Sequence, residues 1–189
     1  MSQREVAQLG WRLKKPVVMV GMMGAGKSAV GAALARRLGV PFLDSDAAIV
    51  EAANMSIPEI FARDGEPFFR LKERQVLARL LSEARGVLST GGGAYLSAEN
   101  RRMITEKGVA VWLDADLDLL WARVRHKDTR PLLRTADPYA TLKALYEARV
   151  PLYARADLSV KADAGYSVDD MTDRVIAALE TRPDVLERT

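Results

Sequence analysis

Residues 21–28 read GMMGAGKS, the pattern G-x-x-x-x-G-K-S in full. The glycines let the backbone curl so that successive N–H groups face an anion, and a following helix start adds its positive dipole end. Lys27 supplies a point charge for the β- and γ-phosphates of a nucleoside triphosphate, and the Ser28 hydroxyl is an oxygen ligand for Mg²⁺. Gly24, Ala25, Gly26, Lys27, Ser28 and Ala29 are therefore the expected phosphate-binding stretch. This chemistry specifies the phosphoryl donor and leaves the acceptor open.

FLDSD, residues 42–46, places two carboxylates, Asp44 and Asp46, two positions apart at the end of an apolar run. If the run continues as a strand, both point to one face. One would then hold the metal through water, and the other would orient an acceptor hydroxyl and take its proton. An aspartate capping the next helix is an equal alternative. Asp114, in VWLDAD, is a weaker metal candidate, because Asp116 and Asp118 suit the first turn of a helix. TGGGA, residues 90–94, puts Gly91, Gly92 and Gly93 after another apolar run. Without a Lys-Ser pair or a helix start directly behind them, they do not read as a second phosphate loop. They read as a bare floor where an acceptor approaches the backbone. Arg70 and Arg149 by themselves read as solvated helix arginines.

The elements that must position these groups alternate. Apolar runs at 16–20, 40–46, 86–92, 109–115 and 157–162 read as five strands. Between them, helical spacing recurs: Val30, Leu34 and Leu38 fall at i, i+4 and i+8, and Gly39 follows as a stop. Residues 57–86 read as two helices broken at DGEP. SAENRRMITEKG is a helix from Ser97 to Gly108, and 139–151 is helical up to Pro151. Ser167-x-x-Asp170 resembles a capping box for a last helix. Residues 127–138 lack a clean period and read as a mobile loop. Strands alternating with helices predict a parallel sheet covered on both faces, with ligands at the carboxyl ends of its strands.

Bulk properties fit that reading. The chain has 189 residues, 49% apolar and 28% charged, enough for one domain with a substantial core. Its net charge is +3, and that whole excess sits in residues 1–15, so no nucleic-acid surface is advertised. No apolar run approaches a membrane span. There are no cysteines, which excludes a disulfide framework and fits a cytoplasmic setting. The lone His126 has no partner in sequence for chemistry. Trp11, Trp112 and Trp121 form no stacking series.

Taken together, GMMGAGKS, DSD, FFR at 68–70, TGGGA, RPLL at 130–133 and EARVPLY at 147–153 resemble the shikimate kinases, in that family's order and over residues 16–180. The resemblance implies an α/β fold: a three-layer α/β/α P-loop kinase with a five-stranded parallel sheet, a mobile lid and substrate-binding helices. It implies transfer of the ATP γ-phosphoryl group to the 3-hydroxyl of shikimate, with Mg²⁺, in a cytoplasmic monomer. By the same resemblance Lys27, Asp46 and Arg130 are catalytic. Asp46, Phe61, Phe69, Arg70, Gly91, Gly92, Gly93 and Arg149 bind the substrate, with the two arginines on its carboxylate. Ser28 and Asp44 serve the metal. Arg123 lies near the adenine, and Arg130, stiffened by the proline after it, closes a lid on the phosphates. The implied layout is an N-terminal extension over 1–15, a kinase domain over 16–182 with a substrate region at 44–72 and a lid at 123–138, and a tail over 183–189. A gluconate kinase-like enzyme and a regulatory nucleotide switch are the alternatives.

Overall fold

The computed structural model describes residues 10–83, 85–126 and 133–189. Five parallel strands form the central sheet: β2 (Val17–Val20), β3 (Phe42–Asp44), β4 (Val87–Ser89), β5 (Val109–Asp114) and β6 (Leu158–Lys161), in spatial order β3-β4-β2-β5-β6. Every residue of β2 and β4 is buried, as are the first five of β5. Strands covered on both faces need continuous apolar runs rather than alternation, and VVMV and VAVWL are such runs.

Among the described residues, eight helices flank the sheet: α1 (Lys27–Leu38), α2 (Ser45–Ala53), α3 (Ile57–Asp64), α4 (Glu66–Glu83), α5 (Ala98–Lys107), α6 (Leu117–Val124), α7 (Pro138–Tyr153) and α8 (Val168–Glu180). Their ends follow local chemistry. Gly39 stops α1 at φ 64°, a left-handed position that costs glycine nothing sterically. Ser56, Ser97 and Ser167 cap α3, α5 and α8, the last in a full capping box with Asp170. Gly65, at φ 83°, breaks α3 from α4 at the DGEP stretch.

Three local expectations are corrected. The strand expected over 40–46 ends at Asp44, because Asp44 caps α2 and Ser45 already begins the helix. Helix α7 does not end before Pro151 but runs through it to Tyr153. In the last turn a proline removes only one backbone bond, and Pro151 is exposed. Directly behind Gly93 a 3₁₀ turn forms over Ala94–Leu96, so a short helical start does follow the glycines.

The chain ends also differ from expectation. β1 (Trp11–Leu13), inside the supposed flexible extension, pairs antiparallel with β7 (Leu186–Arg188), inside the supposed tail. Leu13, Val185 and Leu186 join the hydrophobic core. Three-residue strands paired across nearly the whole chain length leave no periodic signal to read. Leu186→Ala is expected to destabilise the fold by about 2–3 kcal/mol, seen as a lower urea midpoint with turnover unchanged. An unaltered midpoint would show that the ribbon contributes nothing.

Candidate active site

The sheet order explains why distant motifs meet. β4 lies between β3 and β2, so the segment after β4 sits between the segment after β3 (Asp44–Asp46) and the loop after β2 (21–26). Residues 46, 91–93 and 27 therefore share one edge of the sheet, at the carboxyl ends of the strands.

The loop over 21–26 uses glycine for its backbone. Gly21, Gly24 and Gly26 have φ of 145°, 81° and 95°, and a Cβ on Gly24 would also lie 2.7 Å from Val124 Cγ1. Lys27 opens α1 and its ammonium donates to the Gly21 carbonyl at 2.5 Å and the Met22 carbonyl at 3.2 Å. Arg123, from α6, donates to the Gly24 carbonyl at 3.0 Å. Arg123 thus braces the loop from behind as well as lining the cleft. That cleft, about 460 Å³, is bounded by the loop, Arg123, and Tyr166, Ser167, Val168 and Met171. The last four come from the connection after β6 and the start of α8, where the sequence alone gave no alignment. Ala25 and Ala29 line the same cleft.

The carboxylate pair resolves into two different jobs. Asp44 Oδ1 accepts the Ala47 N–H at 3.0 Å, so Asp44 is the helix cap. Asp46 stands in the first turn of α2, not on a strand. Its pKa is raised above the ordinary aspartate value, chiefly by burial and then by the Asp44 charge, while Lys27 and Arg70 pull it down. Asp114, by contrast, faces Lys161 at 3.6 Å, and Asp116 receives the same ammonium at 2.8 Å, well away from the loop in sequence and role.

The three glycines are the centre of the site. None has a positive φ, so any residue could adopt their backbone. What excludes a side chain is space. A Cβ on Gly91 would lie 2.7 Å from Asp46 Oδ1. One on Gly92 would lie 3.1 Å from Arg149 Nη1, and one on Gly93 only 2.5 Å from Arg70 Nη1. Consecutive glycines therefore admit, one each, the three polar side chains that the sequence singled out. The space expected to be bare for an acceptor is bordered, over each glycine, by one of the protein's own side chains.

The two arginines have neighbours that sequence reasoning missed. Arg70 Nη1 donates to Glu73 Oε1 at 2.9 Å, and Glu73 is 2% exposed. Burial raises the Glu73 pKa, and the hydrogen bond from Arg70 opposes that shift. Tyr153 donates its hydroxyl to the Gly92 carbonyl at 2.6 Å, and is itself buried. Its pKa is raised by burial, with the Arg149 guanidinium pulling it back. The signal was available: Glu73 is i+3 from Arg70 and Tyr153 is i+4 from Arg149, the spacings that share a helix face. Phe69, expected as a pocket wall, is buried and lies 5.2 Å beneath the Arg70 guanidinium. Phe61 is exposed and its ring meets that of Phe69 at 4.7 Å. Arg130 lies outside the described residues. His126 is exposed at the end of α6, where Arg125 Nε donates to it at 2.9 Å. Trp112 is core and Trp121 packs edge-on to Tyr139; Trp11 bonds Glu180 at 3.3 Å.

Among the described residues no helix is long and apolar enough to cross a membrane, and no cluster of three or more acidic or histidine side chains could hold a metal by itself.

A phosphate loop, a partly buried carboxylate and two arginines gathered over a glycine floor describe a small-molecule phosphotransferase site. Comparison with known proteins agrees. The family model described as shikimate kinase matches residues 23–180. A shikimate kinase from Ruegeria pomeroyi is 74% identical over 175 residues, 93% of this chain and 90% of that protein. One from Cereibacter sphaeroides is 69% identical, covering 98% of this chain and 93% of the relative. The solved structure of shikimate kinase from Acinetobacter baumannii in complex with shikimate superposes with a TM-score of 0.82 at 35% identity, over 96% of this chain and 99% of that one. The match runs from inside the phosphate loop to the end of the last helix, and so the chain belongs to the shikimate kinase family.

Proposed function

We propose that this chain transfers the γ-phosphoryl group of ATP to the 3-hydroxyl of shikimate, yielding shikimate 3-phosphate and ADP. The observation that carries the reading is the meeting of Asp46, Arg149 and Arg70 on Gly91, Gly92 and Gly93 beside the phosphate loop. Shikimate is a small ring with one carboxylate and three hydroxyls, and the site offers two cations and one carboxylate. ATP lies in the cleft with its phosphates against the N–H groups of 24–29 and the Lys27 ammonium. Arg70 and Arg149 take the substrate carboxylate; their planar forks suit two-point contact. Asp46 orients the 3-hydroxyl and accepts its proton as the oxygen attacks the γ-phosphorus. The bond from that phosphorus to the β–γ bridging oxygen breaks, and ADP departs. The Ser28 hydroxyl and Asp44, the latter through water, fit Mg²⁺ as oxygen donors. A Mg²⁺ ion held there would supply positive charge against the phosphates during transfer. Arg123 and the Tyr166–Met171 stretch border the nucleoside, and Arg130 is the closing arginine. Membership of the family carries the reading of a cytoplasmic monomer.

Purified protein with Mg·ATP is expected to release ADP only when shikimate is added, with gluconate and nucleoside monophosphates inert. ADP release that ignores shikimate, or prefers another acceptor, would overturn the reading. Arg149→Lys is expected to raise the KM for shikimate by about tenfold or more, since an ammonium cannot make the forked contact. The KM for ATP should stay within about twofold of wild type by that same reasoning.

A further inference from the structure

Ser89 is the last residue of β4, 3% exposed, and directly precedes Thr90 and the glycines. Its Oγ lies 3.2 Å from Ser28 Oγ. Its Cα partners in the sheet are Met19 on β2 and Asp44 on β3. It therefore sits between the strand that launches the phosphate loop and the strand that ends in Asp44.

A hydroxyl that ligates a cation does so through a lone pair, and its proton must go to an acceptor on the far side. Groups that orient metal ligands in this way govern affinity as strongly as many ligands do. Among the described residues, Ser89 Oγ is the hydrogen-bond partner of the Ser28 hydroxyl. We propose that Ser89 is a positioning residue for the nucleotide-borne cation: it accepts the Ser28 proton and so presents the Ser28 lone pair to Mg²⁺. The proposal rests on the reading of Ser28 as a cation ligand. A mere brace is the competing role, but the structure already ties these strands. β2 and β4 share backbone pairing from Val17↔Val87 to Met19↔Ser89, and Thr90 Oγ1 donates to the Met19 carbonyl at 2.9 Å. A neutral acceptor also suits this position. A carboxylate so deeply buried would need its own compensation before any cation arrived.

The test uses the full chain with ADP, and Mn²⁺ as the probe, read by its electron paramagnetic resonance signal. Ser89→Ala is expected to weaken Mn²⁺ binding to the ADP complex by about tenfold. ADP affinity in chelator should be unchanged. Ser89→Cys keeps the side-chain size with a poorer acceptor and should show the same loss, which guards against a folding defect in the alanine variant. Ser28→Ala should weaken Mn²⁺ at least as much, and adding Ser89→Ala to it should cost nothing further. Wild-type Mn²⁺ affinity in both Ser89 variants, with Ser28→Ala impaired, would overturn the inference alone. So would equal ADP losses with and without metal, which mark a brace. If Ser28→Ala itself leaves Mn²⁺ binding intact, the assignment of Ser28 as ligand fails and the inference falls with it.

Discussion

Asp46→Asn is expected to lower kcat by about 10³-fold while leaving ADP affinity within about twofold of wild type. The amide keeps the size and can still sit over Gly91, but it cannot accept the proton of the attacking hydroxyl. The same variant should unfold at a temperature no lower than wild type. Burial and the Asp44 charge raise the Asp46 pKa in the folded state. The folded protein therefore binds this proton more tightly than the unfolded chain. The ionised group costs stability in full above the folded-state pKa, and that cost fades as pH falls from the folded-state pKa toward the unfolded one. Removing the charge removes the cost. Activity runs the other way: catalysis needs the carboxylate, so kcat/KM should fall on acidification, with a midpoint shifted upward from that of an ordinary aspartate. A rate-versus-pH series checks this. Loss of ADP binding in Asp46→Asn, with shikimate affinity intact, would show that Asp46 serves the nucleotide instead.

Gly91→Ala is expected to lower kcat/KM for shikimate by about 10²-fold, the scale on which small misplacements of a reacting group act. The new methyl carbon would stand 2.7 Å from Asp46 Oδ1 and 3.0 Å from Oδ2, closer than carbon and oxygen approach. Asp46 is short and its backbone is held in the first turn of α2, so its carboxylate must turn away. Gly93→Ala makes a sharper clash on paper, at 2.5 Å from Arg70 Nη1. There, however, the crowded atom is the far end of a long side chain, which can yield. The contrast is the test: Gly91→Ala should depress kcat, whereas Gly93→Ala should act mainly through the KM for shikimate. Neither should alter ADP affinity, since the atoms nearest each methyl belong to Asp46 and Arg70. Equal loss of ADP binding and turnover in Gly91→Ala, with a lowered unfolding temperature, would mean general disruption rather than displacement of Asp46.

The motif at 21–28 was legible because its demands are local. Positive φ at Gly21, Gly24 and Gly26, a helix start at Lys27 and a strand before it all lie within a dozen residues. The order of strands and helices was legible for the same reason, since buried parallel strands need unbroken apolar runs. Asp44 and Asp46 show where this stops. Their types pointed to the cleft, but strand alternation was the wrong cause. Asp44 Oδ1 caps the next helix, and the turn of that helix delivers Asp46. Glu73 and Tyr153 showed in sequence only as i+3 and i+4 neighbours of Arg70 and Arg149, a spacing that many solvated helix residues share. Only their partners, Arg70 and the Gly92 carbonyl, give them a purpose.

The triple glycine divides the two kinds of knowledge most clearly. The sequence by itself determined that side chains are excluded at 91–93, that a phosphate loop stands elsewhere in the chain, and that the fold is a covered parallel sheet. Those follow from residue type and short-range spacing. Tertiary structure alone decided what the absence of side chains is for. Backbone conformation does not require glycine there; Asp46, Arg149 and Arg70 do. They come from three helices separated by up to about a hundred residues, and they meet because β4 is inserted between β3 and β2. That insertion is a non-local pairing whose free energy comes from burying whole strands together, and no window of residues records it.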